Sequence, residues 1–193
     1  MLRLSIIAAV LAALAACAPL GNDDRVPPRD LGDFRLGNVV VVAPEVQKSR
    51  FSSVFTNAEI VEIVGDAVTA RFAGQDGTRS THLTVGLESV VLAQPNDPVF
   101  SEPRSVLAFH VTAWDAATGA RLNPRPQRIT VFDVSWRSSV LGEGLVATTP
   151  QQLRSLGDEA AEAIEEFLLR GMARDGWFLR RNFVLVKAVA RAD

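Results

Sequence analysis

Four sets of side chains in this sequence are of types that could do chemistry. One thiol, Cys17, ends the apolar run LAALAAC, and the chain has no other cysteine. Two imidazoles, His82 and His110, are the chain's only histidines. Glu159, Glu162, Glu165 and Glu166 crowd one short stretch, and Trp177-Phe178-Leu179-Arg180-Arg181 sets aromatics beside cations. A thiol can be acylated, can attack an electrophile or can bind a metal. Histidines and clustered carboxylates can hold a metal or move protons. Aromatics beside arginines suit a membrane interface or a protein contact.

Spacing removes most of these options. Neither His82 nor His110 has a second histidine or a group of carboxylates at metal-ligand distance along the chain. The sequence contains no G-x-S-x-G elbow and no H-E-x-x-H. It contains no phosphate-cradling G-x-x-x-x-G-K-[ST] either. The expectation is therefore no catalytic residue, no metal, no cofactor and no enzyme. His110 falls in a strand, opposite in phase to Leu107, Phe109 and Val111, which makes it a structural or surface residue. The four glutamates are expected on the solvated face of a helix. Trp177, Phe178, Arg180 and Arg181 are the candidate interaction residues, and a buried Trp-Phe pair with two exposed arginines is the alternative.

Cys17 is different, because its surroundings specify its chemistry. Arg3 gives a basic start, and residues 4–16, LSIIAAVLAALAA, carry no charge. A basic head, a short apolar core and small residues at the end are the three parts of a secretory signal. A core of thirteen residues falls short of the roughly 20 that span a bilayer. Leu14-Ala15-Ala16-Cys17 resembles the lipobox of bacterial lipoproteins. That resemblance implies a diacylglyceryl thioether on Cys17, cleavage before it, and acylation of the new amino terminus by chains such as palmitate. An ordinary signal peptide with an incidental cysteine is the alternative. Two or more chains make a stable anchor, each buried methylene adding about 0.8 kcal/mol. Residue 18 is Ala; Asp there resembles an inner-membrane retention mark, so Ala favours the outer membrane of a Gram-negative cell.

Loss of residues 1–16 leaves 177 residues and takes the basic count from 20 to 19 against 22 acidic residues, a formal charge of −3. That balance gives no electrostatic case for nucleic acid. With Cys17 lipidated, no thiol remains for a disulfide. Residues 18–32, APLGNDDRVPPRDLG, are rich in proline, glycine and charge. Stretched out, these fifteen residues reach at most roughly 50 Å. The organisation read from the chain is a signal peptide (1–16), a lipidated cysteine and flexible tether (17–33), and a single domain (34–193) large enough for a real core.

The domain begins with strand patterns. Asn38 to Ala43, NVVVVA, reads as a strand covered on both faces. Ala58 to Gly65, AEIVEIVG, alternates as a strand would, and Asp76-Gly77 is a hairpin-type signal. Thr81 to Ala93 places Leu83, Val85 and Leu87 on one face; Ser105 to Asp115 places Leu107, Phe109, Val111 and Ala113 on one face. Asp115 and Gly119 bound a turn, and Arg128 to Trp136 is a further strand, closed by Trp136-Arg137. The period then changes. Thr149-Pro150-Gln151-Gln152 reads as a capping box. Leu153, Leu156, Ala160, Ile164, Phe167 and Leu168 follow at helical spacing, with Gly171 or Gly176 as the end. FVLVKAVA, residues 183–190, reads as a last strand. Strands followed by a long helix argue for an α+β fold, an antiparallel sheet of about five or six strands packed by a long C-terminal helix.

The order "SSVFTNAEIVEIVGD", "THLTVGLESVVL", "LAFHVTAWDAATGARL" and the helix after "TTPQQLR" resembles a family of short uncharacterised alphaproteobacterial lipoproteins, a domain of unknown function. More loosely, it resembles the auxiliary lipoproteins of envelope transport systems, which put a small α+β domain on a lipid tether. The family has no assigned activity. The functional expectation is a lipid-anchored envelope lipoprotein in the periplasm, a non-catalytic docking or accessory module with an envelope protein as partner. The alternative is a small-molecule or lipid binder, or an unrecognised periplasmic hydrolase.

Overall fold

The structure is a computed structural model and describes residues 26–48, 55–93, 104–133 and 148–179. Its elements are β1 (Phe34–Val42), β2 (Gln47–Lys48), α1 (Asn57–Phe72), β3 (Arg79–Val91), β4 (Val106–Asp115), β5 (Gln127–Phe132) and α2 (Thr149–Asp175). The sheet runs β1-β3-β4-β5, with β2 also on β3. β3, β4 and β5 are antiparallel, whereas β1 and β2 lie parallel to β3. The α+β class expected from the sequence is present, but the sheet is mixed rather than antiparallel throughout.

The cause is the stretch read as an alternating strand. Residues 58–65 belong to α1. Thr56 Oγ1 accepts from the Glu59 amide at 3.1 Å, and the Glu59 carboxylate accepts from the Thr56 amide at 2.6 Å. This capping box satisfies two donors that a helix start would otherwise leave open. Ile60, Val64, Val68 and Phe72, four apart, are all buried. A helix between β1 and β3 forms the crossover that joins parallel strands. Asp76-Gly77 accordingly turns the chain from helix to strand rather than forming a hairpin. The Gly77 amide donates to Phe34 O and the Arg79 amide to Asp33 O, each at 2.9 Å, which seats β1 beside β3. A Cβ on Gly77 would stand 2.5 Å from the Phe34 nitrogen, so only glycine fits this approach.

Both helices cover one face of the sheet. Leu83, Val85 and Leu87 of β3 and Leu107, Phe109, Val111 and Ala113 of β4 are buried beneath them, as the alternation predicts. Residues Leu153, Leu156, Ala160, Ile164, Phe167 and Leu168 of α2 face the same core. The helix starts one residue earlier than expected. Thr148 is the cap, and Gln151 Oε1 accepts from the Thr148 amide at 2.9 Å. It ends at Gly176, which takes the left-handed φ of 71° and donates to Met172 O at 3.1 Å. Gly171 instead makes room for the Trp177 ring.

The opposite face of the sheet carries no described helix. The valines of β1 therefore divide: Val39 and Val41 pack against the core, while Val40 and Val42 are 51% and 43% exposed. The strand is covered on one face, not two. Residues 134–136 at the end of the Arg128–Trp136 strand pattern, Arg137 and the segment 183–190 lie outside the described residues.

Candidate functional site

The acidic stretch of α2 is split by its environment. Glu166 is exposed and bonds Arg170 one turn on at 2.9 Å. Burial, then the neighbouring carboxylates of Glu162, Asp133 and Asp158, push Glu159 above its ordinary value. Glu165 is fully buried, contrary to its expected place on the wet side. The reason is a second contact line. Gly157, Ala161 and Glu165 recur every four residues along the side of α2 that meets α1. A Cβ on Gly157 would stand 2.9 Å from the Ile63 side chain. Arg71, at the end of α1, reaches across and binds Glu165 through Nε at 3.3 Å and Nη2 at 2.9 Å.

Arg29 completes the cluster. Its amide and its Nε donate to the two oxygens of Glu165 at 2.8 and 2.9 Å. Burial pushes the Glu165 carboxyl up. The hydrogen bonds from Arg71, from the Arg29 amide and from its guanidinium, with the charge of Arg71, outweigh that and leave it below its ordinary value. The other buried polar groups are likewise committed to the fold. Ser105 donates to Gln152 at 2.6 Å, tying the lead into β4 to α2. Asn123 accepts from the Ala113 amide and donates to Val111 O, holding the turn after β4. Among the described residues, every buried side-chain nitrogen or oxygen has a hydrogen-bond partner. No group of three His, Cys, Asp or Glu among them could hold a metal ion.

Both histidines lie on the open face. The His82 ring stands over Gly37, where β1 bulges out of register, and its Nδ1 accepts the Asn38 amide at 2.9 Å. His110 lies 3.8 Å from the Glu88 carboxylate. Arg128 grips the same carboxylate through Nε at 2.8 Å and Nη2 at 3.0 Å. That bond holds Glu88 below its ordinary value against the opposing effect of desolvation, and the charges of Arg128 and His110 add to it. The register aligns Gly86, His110 and Arg128 across three strands, and Val42 opposite Gly86. Exposed Val40 and Val42 flank this polar centre at one edge, and Phe132, 48% exposed, at the other. On the same face Trp114 donates to Thr84 at 3.1 Å beneath the Arg121 guanidinium. Sequence reading singled out only His82 and His110 of this surface. The signal was there in phase, since every second residue of the strands must face away from the helices.

The structure places Trp177 and Phe178 in the core. Phe167 meets Trp177 edge-on at 5.4 Å, and Phe34 meets Phe178 at 5.0 Å. Arg79 donates to Trp177 O and the Asp33 amide to Phe178 O. Cys17, Arg180 and Arg181 lie outside the described residues. No described helix is long and apolar enough to cross a membrane.

No family model matches the chain, and no curated protein matches it with significance. Solved structures are similar at low identity. A Xanthomonas campestris protein of the family DUF330 aligns with 79% of this chain and 95% of its own, at 12% identity and a TM-score of 0.48. A Caulobacter crescentus CB15 protein put forward as a lipoprotein aligns with 70% of this chain and 90% of its own, at 13% identity and a TM-score of 0.38. A minor lipoprotein of Acinetobacter baumannii aligns with 67% and 89%, at 11% identity and a TM-score of 0.28. Identities this low leave the function of this chain to its own residues.

Proposed function

We propose that the protein is a lipid-anchored lipoprotein of the bacterial envelope, held through Cys17, whose domain is a non-catalytic docking module for an envelope protein. The anchor reading rests on the apolar leader and the LAAC sequence; Ala18 favours the outer membrane. The observation that carries the docking reading is the open face of the sheet. Apolar side chains at its two edges, Val40, Val42 and Phe132, bracket the charged ladder of Glu88, His110 and Arg128. Protein interfaces combine apolar contacts with polar groups in this way. Among the described residues β1 pairs on one side only, so its outer backbone groups are available to a partner strand. The buried polar groups support a structural role, since they are spent on the fold.

Two experiments test this. Cys17→Ser should abolish lipid labelling and leave the protein unprocessed or soluble; normal maturation and membrane partitioning of the variant would refute the anchor. Photoreactive residues at Val40 and Thr130 should yield one discrete protein adduct in the native envelope, and Phe132→Asp should remove it. Equal adducts from Asp66, on the outer side of α1, would refute the assignment of the surface.

A further inference from the structure

We propose that the anchor presents the helical layer of the domain to the bilayer and turns the open face of the sheet away from it. The partner of the helical layer is then the lipid surface itself. This rests on the Cys17 anchor proposed above and adds to it the orientation of the domain.

The path of residues 26–33 carries the inference. Val26 O accepts from Arg71 Nη1 at 2.6 Å. The Arg29 amide and guanidinium bind Glu165, and Arg29 O accepts from Gln75 Nε2 at 2.8 Å. The Leu31 amide donates to Gln75 Oε1 at 3.3 Å, and the Leu31 side chain is fully buried. The Asp33 amide then reaches Phe178 O at 2.9 Å. Arg71 and Glu165 belong to α1 and α2, and Gln75 and Phe178 directly follow them. The segment is a clasp across the helical layer, and Val26, the first described residue, is held on that layer.

Only residues 18–25 separate Val26 from Cys17. Eight residues reach at most roughly 30 Å. The helical layer and the sheet together are about 20 Å thick, a helix being about 10 Å across and layers packing about 10 Å apart. Turning the open face to the bilayer would spend most of that reach on passing the domain's side. Pro27 and Pro28 fix two backbone angles next to Val26. The short route places the outer side of α1, around Asp66 and Ala70, nearest the lipid.

The test uses the mature lipoprotein in vesicles of phosphatidylethanolamine and phosphatidylglycerol with an energy acceptor on a headgroup. The thioether occupies the sulfur of Cys17, so one introduced cysteine takes the donor dye. Ala70→Cys reports the helical side and Thr130→Cys the open face; both positions are exposed. Transfer from position 70 should be about twofold the higher, given about 20 Å of domain between the two. Inserting twelve Gly and Ser residues after Asn22, outside the clasp, should erase the difference. Equal transfer from both positions, greater transfer from position 130, or a difference that survives the insertion would overturn the orientation. Protein that does not float with the vesicles would instead refute the anchor, and the inference with it.

Discussion

Glu165 and Glu88 are each gripped by both nitrogens of an arginine fork, one beneath the helices and one on the open sheet face. The geometry is nearly the same. Surroundings separate them: Glu165 has no solvent exposure, whereas the Glu88 side chain is 39% exposed. Water and salt compensate a broken pair at the surface. In the interior nothing does, and the partner's charge is left stranded. The worth of an ion pair in this protein is thus set by where it sits, and the contrast can be attacked from either end.

The largest effect is expected from Glu165→Lys. It would gather three cations between α1 and α2 and should cost about 3–5 kcal/mol or prevent folding. Chemical denaturation of this variant beside Glu88→Lys decides the matter, and similar midpoints would break the comparison. A second expectation concerns acid. The Glu165 carboxyl lies below its ordinary value in the fold, so its contribution is present above the unfolded value, about 4.3. It is lost as pH falls from there through the lower native value. The gap in Tm between wild type and Glu165→Gln should therefore be wide at pH 7 and narrow steadily below about pH 4. A gap constant down to pH 3 would show that the carboxylate's charge is not its source.

A smaller loss, about 1–2 kcal/mol, is expected for Arg29→Ala, which removes one charge-assisted bond and loosens a second while Arg71 keeps its hold. It should also open the Val26–Asp30 stretch to protease while the core melts as one unit. Glu88→Gln should leave Tm indistinguishable from wild type in 0.15 M salt. A clear destabilisation there would mean that the open face is covered in the isolated protein.

The sequence made some of this legible and concealed the rest for physical reasons. Strands β3 and β4 were readable because one face of each is wholly buried, so period two is unbroken from Leu83 to Leu87 and from Leu107 to Ala113. Helix α2 was readable because its stripe runs over four turns. Helix α1 was misread because a window of eight residues does not separate the periods: Ile60 and Val64 share a face in a helix and in a strand. Val68 and Phe72, beyond that window, and Thr56, which precedes it and forms the capping box with Glu59, decide for the helix. Once α1 is a helix, the parallel placement of β1 follows. Glu165 was misplaced because a second packing line lies beside the first. Its marks are small residues, Gly157 and Ala161, rather than large apolar ones. The open face held no motif to find, since Val40, Glu88, His110, Arg128 and Phe132 are brought together by strand pairing alone.

The Arg29–Glu165 bond joins residues 136 apart in the chain. A chain made amino end first presents Arg29 well before Glu165. The cluster of Arg29, Arg71 and Glu165 cannot close until α2 has followed, and β1 waits for β3 in the same way. Until then, the four valines of β1 emerge without the strand they pair with. The architecture therefore makes folding a late event for this chain, and the time between the two arrivals is the interval in which a chaperone would matter most.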